Sequence, residues 1–161
     1  MTCFVLACLL CAGCGGDASG AEEPVPADVP GEEIPMTNEE TNMRSINLKI
    51  DDTEVSVQWE DNDSVTALKE LLEDGPKEVE MSMYGGFEQV GSLGQSLVRH
   101  DVQTVTQAGD IVLYSGNSIV VFYGSNSWAY TRLGKITGLT KQELTGLLGN
   151  GDVTLTLTLA D

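Results

Sequence analysis

The residues best equipped for chemistry crowd into one stretch, Tyr123 to Ile136, which reads "YGSNSWAYTRLGKI". Tyr123, Trp128 and Tyr130 offer flat apolar surface, while Ser125, Asn126, Ser127 and Arg132 offer donors close by. Ligand sites use this mixture of apolar walls and a few placed polar groups. On a strand, Trp128 and Tyr130 share one face and Ala129 and Thr131 the other. Two rings of about 150–250 Å² each can equally fill a core, so packing and ligand contact both stay open. Arg132 is hard to bury and is the better functional candidate.

Other candidates are more isolated. Glu88 follows Phe87 in "YGGFEQVGSLGQS", where a carboxylate can meet a ligand hydroxyl or amine or simply face water. His100 is the only histidine and stands between Arg99 and Asp101. A general base needs its substrate within about 3 Å, and a surface loop histidine is the simpler reading. With one histidine and no cysteine beyond Cys14, a zinc site is not expected. "DNDSV" at 61–65 stops far short of a calcium-binding helix–loop–helix and reads as a helix cap. No metal or cofactor is expected.

The elements that must position these residues lie in the last 117 residues, 45–161. "INLKI" at 46–50 and "TEVSVQW" at 53–59 alternate apolar and polar residues around "DD", which predicts a hairpin. "DNDSVTALKELLEDGP" changes period: Asp63 or Ser64 caps a short helix whose stripe is Val65, Leu68, Leu71 and Leu72, and Gly75–Pro76 stop it. "KEVEMSM" returns to period two with Val79, Met81 and Met83 inward, and a glycine-rich loop follows. Three strands then occupy 102–122. "IVVF" at 119–122 is apolar on successive positions, so both its faces are expected to be covered. Thr140 and Glu143 form a capping-box pattern before Leu144, Leu147 and Leu148, with Gly149 as the stop. "VTLTLTL" closes the chain as a strand. About eight strands and two short helices in one mainly β domain predict a closed barrel with helices plugging its ends, since closure removes exposed edges.

"GDIVLYSGNSIVVFYGSNSWAYTRLGKI", with "YGGFEQVGSLGQSLVRHD" before it, resembles a bacterial family of cyclophilin-like domain proteins, many carrying lipoprotein signals. The resemblance implies an eight-stranded barrel with a helix at each end. Authentic cyclophilins isomerise peptidyl-prolyl bonds with an arginine beside a pocket for the proline ring. "YGGF" at 84–87 shares a glycine pair and an aromatic with the signature around that arginine, but lacks its Gln and Asp. Arg99 in "VRHD" stands without the aromatic framework, and the catalytic arginine maps onto no position here. The expectation is a non-enzymatic binding or accessory module with Glu88, Tyr123, Asn126, Trp128, Tyr130 and Arg132 as ligand-binding candidates. The alternative is a peptidyl-prolyl isomerase with a non-standard site, using Arg99 or Arg132.

Charge and address complete the expectation. The domain has 17 acids against 7 bases, which excludes nucleic acid as a partner because phosphate binding needs a basic face. The ligand is a peptide, a protein or a small molecule. Residues 1–13, "MTCFVLACLLCAG", are uncharged and too short to span a bilayer, which takes about 20 residues, and they fit a secretory signal. "LLCAGC" resembles a bacterial lipoprotein cleavage box in which Cys14 is lipidated, although Cys11 stands where Leu is usual and no Lys or Arg precedes the run. Residues 14–44 then form a disordered tether, with eight acids and four prolines and little to bury. An extracytoplasmic lipoprotein, at the cell surface or in the periplasm, is the expected location, with the membrane engaged through the lipid alone. Two or more acyl chains anchor stably, each buried methylene contributing about 0.8 kcal/mol. Cys14→Ala should abolish lipid labelling and move the protein out of the membrane fraction with the barrel still folded. If wild type enters detergent no better than Cys14→Ala, an ordinary secretory signal replaces the anchor.

Overall fold

The computed structural model describes residues 43–160; the expected signal, Cys14 and the expected tether as far as residue 42 lie outside the described residues. The chain opens with β1 (Ile46–Ile50) and β2 (Thr53–Trp59), paired antiparallel with Ile50 opposite Thr53. Asp51 turns the chain at φ 50°, a left-handed geometry that Asp and Asn tolerate better than most residues. Its carboxylate accepts the Thr154 N–H at 2.8 Å, which ties the turn to the last strand.

Helix α1 (Asp63–Leu71) buries Val65 and Leu68, and Leu72 just past its end is buried as well. Its N-cap is Asn62, one residue before the expected Asp63 or Ser64. Asn62 wins because its carboxamide works twice: Oδ1 accepts the Val65 N–H at 3.0 Å, and Nδ2 donates to the Arg132 carbonyl at 2.9 Å. Ser64 is buried instead and donates to the Val98 carbonyl at 2.6 Å.

β3 (Lys77–Tyr84) turns through Gly85 and Gly86, both at positive φ, into β4 (Glu88–Ser92). The first part of the glycine-rich segment is therefore a hairpin, and the part from Leu93, with Gly94 at positive φ, remains a loop as expected. Val79 and Met81 face inward as expected, but Met83 is 42% exposed. The β9 neighbour ends level with Met81, so Met83 stands at the rim with a strand partner on one side alone, Gln89 of β4. On β4, Gly91 lies opposite Met81. A Cβ at Gly91 would press on Met81 Sδ and Val79 Cγ1 and sit 2.8 Å from the Glu80 carbonyl oxygen, so those inward side chains already occupy its place.

The short β5 (Val102–Val105) precedes the hairpin β6 (Asp110–Tyr114) and β7 (Ser118–Phe122). β8 (Ser127–Thr137) is eleven residues long. Helix α2 (Lys141–Leu148) carries the full capping box between Thr140 and Glu143 and ends at Gly149, and β9 (Val153–Leu159) follows.

All pairings are antiparallel, in the order β2-β1-β9-β3-β4-β7-β6-β8, and β2 pairs β8 to close an eight-stranded barrel. β5 is a ninth strand added to the first half of β8. Because β2 and β8 run antiparallel, α1 after β2 and α2 after β8 leave from opposite ends of the barrel. The buried side chains of both helices, among them Leu68 and Leu144, join the interior cluster with Leu48, Ile111 and Leu155. β7 is covered on both faces: Ile119 and Val121 belong to the interior, while Val120 and Phe122 belong to a second cluster outside the wall with Val112 and Tyr130. Gly91→Ala should lower stability by about 1–3 kcal/mol through overpacking, read by urea denaturation. A neutral effect would mean that the interior beside Met81 has slack.

Candidate functional site

The outer cluster is built by strand alternation. On β4, Gln89 and Gly91 point into the barrel, so Glu88 and Val90 point out. Phe87, just before β4, stacks parallel to Phe122 with ring centroids 6.5 Å apart. Tyr130 meets Phe122 edge-on at 5.7 Å and Tyr114 edge-on at 6.1 Å, arrangements that aromatic quadrupoles favour. Asn126 holds the Tyr130 hydroxyl, its Nδ2 donating at 3.0 Å. Asn126 is itself pinned: its N–H donates to Thr106 Oγ1 at 2.9 Å, and the Thr106 N–H returns a bond to its carbonyl at 2.8 Å.

These residues wall a groove of about 280 Å³ lined by Tyr84, Glu88, Val90, Tyr114, Val120, Asn126, Trp128 and Tyr130. Trp128 is 57% exposed and stands at its rim. Among the described residues, Glu88 is the only charged one in the lining, and it is 6% exposed. Its Oε2 is buried with no hydrogen-bond partner among the described residues. Burial pushes the Glu88 carboxyl up to about 7, because charge is disfavoured away from water. Burial also raises the Tyr130 phenol, and the nearby Glu88 charge adds to this, while the Asn126 bond works the other way. A carboxylate left without donors beside an open apolar groove favours an incoming donor.

The structure brings Glu88, Asn126, Trp128 and Tyr130 together in this groove and places the other candidates elsewhere. Tyr123 is 5% exposed and belongs to the interior cluster. Arg132 lies in a separate polar hollow with Gln58, Trp59, Glu60, Gln107, Asp110 and Lys135. There it pairs with Asp110 at 3.3 Å, and Lys135 pairs with the other Asp110 oxygen at 3.0 Å. Asp110 is 1% exposed, so these two cations neutralise a buried charge. β8 carries a bulge just beyond Arg132: Ile111 faces Gly134 but Val112 faces Arg132, so Leu133 is an extra residue, and it brings Lys135 to the same side as Arg132, both on Asp110. Arg99 pairs with Asp101 at 3.2 Å, and the exposed His100 reaches Asp63 at 3.6 Å; neither lines the groove.

Tyr84, Tyr114, Val90 and Val120 escaped sequence reasoning. Tyr84 and Tyr114 do carry a local signal, each being the last residue of a strand before a turn. Gln89 was missed as well. It faces inward and donates from Nε2 to the Leu148 and Gly151 carbonyls at 2.7 and 2.6 Å, fastening β4 to the end of α2.

A sequence model described as the Cyclophilin-like family matches residues 48–158, which is the barrel from β1 to β9. The chain belongs to the cyclophilin-like family. A search of curated proteins finds no match. Among the described residues of this cyclophilin-like domain, no group of three or more His, Cys, Asp or Glu is placed to hold a metal ion, and no helix is long and apolar enough to cross a membrane.

The Glu88 carboxyl links the groove to stability. Between the ordinary carboxylate range and about 7, the folded domain holds a proton that the unfolded chain releases. Stability therefore falls as pH rises through that window. Glu88→Gln should be more stable than wild type by on the order of 1–3 kcal/mol at pH 8, with the gap closing toward pH 5. Urea denaturation at both pH values checks this, and an equal gain at both would remove the ionisation argument.

Proposed function

We propose that this cyclophilin-like domain is a non-enzymatic ligand-binding or accessory module, held at the extracytoplasmic face of a membrane through Cys14. One observation carries the binding reading: a buried carboxylate with an unpartnered oxygen lies in the wall of an aromatic groove, beside an exposed tryptophan. A monomeric surface seldom keeps such a combination without use, because the desolvated carboxylate and the exposed rings both cost stability. The groove is concave and mostly apolar with a few convergent polar groups, as small-ligand and peptide sites are. Proline isomerisation is less well supported. Its arginine would have to stand beside the ring pocket, whereas Arg99 and Arg132 are ion-paired outside the groove. The tether and lipid-box sequence support the location.

Tryptophan emission tests the reading, since the two tryptophans differ in setting. Trp59 is half-buried with its Nε1 donating to the Ile46 carbonyl at 2.8 Å, while Trp128 stands at the groove. Titration with peptide and glycan panels should shift the emission, and Trp128→Phe should remove the response. A protease-coupled assay on a proline peptide should stay at background. Silence to every member of both panels would overturn the binding role, and proline-peptide turnover above background would replace it with catalysis.

A further inference from the structure

Resting on that binding role, we propose that the groove selects ligands bearing an ammonium group on an apolar body. Four aromatic residues, Tyr84, Tyr114, Trp128 and Tyr130, line it around the single carboxylate of Glu88. Aromatic faces attract an ammonium within about 6 Å, most strongly where water is excluded. The unpartnered Glu88 Oε2 supplies the counter-charge and an acceptor for an N–H. Among the described residues no Lys, Arg or His lines the groove, so no basic side chain there already neutralises that carboxylate. The surplus of acids over bases in the domain adds a long-range field of the same sign.

A neutral ligand of the same shape fits less well. It would cover the carboxylate without compensating its charge, and the groove would have to take up a proton to admit it. The two chemistries therefore respond oppositely to pH. An ammonium binds the ionised carboxylate, whereas a neutral acceptor binds the protonated acid, which can then donate. Besides Glu88, the titratable groups lining the groove are the phenols of Tyr84 and Tyr114 on β3 and β6 and of Tyr130 on β8. The Tyr130 phenol is raised, away from the neutral window. Val90 on β4, Val120 on β7 and Trp128 on β8 contribute no charge.

The experiment uses the full chain in detergent and two probes of equal shape, phenethylammonium and phenethyl alcohol. Binding is read by Trp128 emission and by NMR shifts of the groove residues. At pH 8 the ammonium should bind at least tenfold more tightly than the alcohol. Its affinity should fall about tenfold between pH 8 and pH 6 as the Glu88 carboxyl takes up its proton. Glu88→Gln should erase the preference while leaving alcohol binding in place, and Trp128→Leu should weaken the ammonium with the carboxylate intact. Equal binding of both probes in the groove, or a preference that survives Glu88→Gln, overturns the ammonium selectivity and leaves the binding role standing. Tighter alcohol binding at pH 6 than at pH 8, with no ammonium binding, assigns the groove to neutral acceptors instead. If neither probe moves a groove resonance, the ammonium proposal falls, and the peptide and glycan panels decide the binding role separately.

Discussion

The pairing of β2 with β8 is the interaction on which the rest of the structure depends. Ser56 to Trp59 lie against Thr137 to Gly134, and this one ladder turns an open sheet into a closed wall. Without it β2 and β8 would present free edges, and the faces of the sheet would have no fixed inside. With it, strand alternation becomes an assignment to two environments. Leu48, Ile50, Leu155 and Leu157 meet each other and the two helices, while Val112, Val120 and Phe122 are left on the far side of the same wall.

That outer layer is a small core in its own right, and its incompleteness makes it interesting. Phe87 and Tyr130 roof part of it, but among the described residues no helix or strand covers the ground between Val90, Val120 and Trp128. A barrel needs side chains outside only to stay soluble, so large rings placed there call for another reason. Glu88 belongs to the same framework, paired across the strands with Phe122, and among the described residues no donor reaches its buried Oε2. Rigidity comes from the reciprocal hydrogen bonds between Thr106 and Asn126, one of them to the Thr106 hydroxyl, which fix the residue that positions the Tyr130 hydroxyl.

Elements governed by near neighbours were legible from the sequence. The Thr140–Glu143 capping box closes over three residues and can be seen in the residues themselves. The period-two runs of β1, β2 and β9 likewise report one buried face each. What needed the third dimension was less legible. β4 hides among glycines because Gly91 is a glycine on account of Met81, a residue on another strand. Tyr123 and Tyr130 look alike in sequence, yet one lies inside the wall and the other outside. Arg132 shares a strand face with Trp128 and Tyr130 on paper. The buried Asp110, more than twenty residues earlier, holds it in a different hollow, together with the Lys135 that the bulge at Leu133 turns to the same side. Tyr84 and Tyr114 join the groove only because β4 and β7 lie between β3 and β6.

The place of β9 carries a consequence for how the molecule comes into being. It lies between β1 and β3, and Ile46 finds its partner in Leu159, more than a hundred residues away. While a chain is being delivered from its N-terminus, every other barrel strand must wait with a slot open for this one. Such a topology carries a high loop-closure cost and folds late and all together, not piece by piece. Partly delivered chains therefore stay pliable, and the shape arrives only with the last strand.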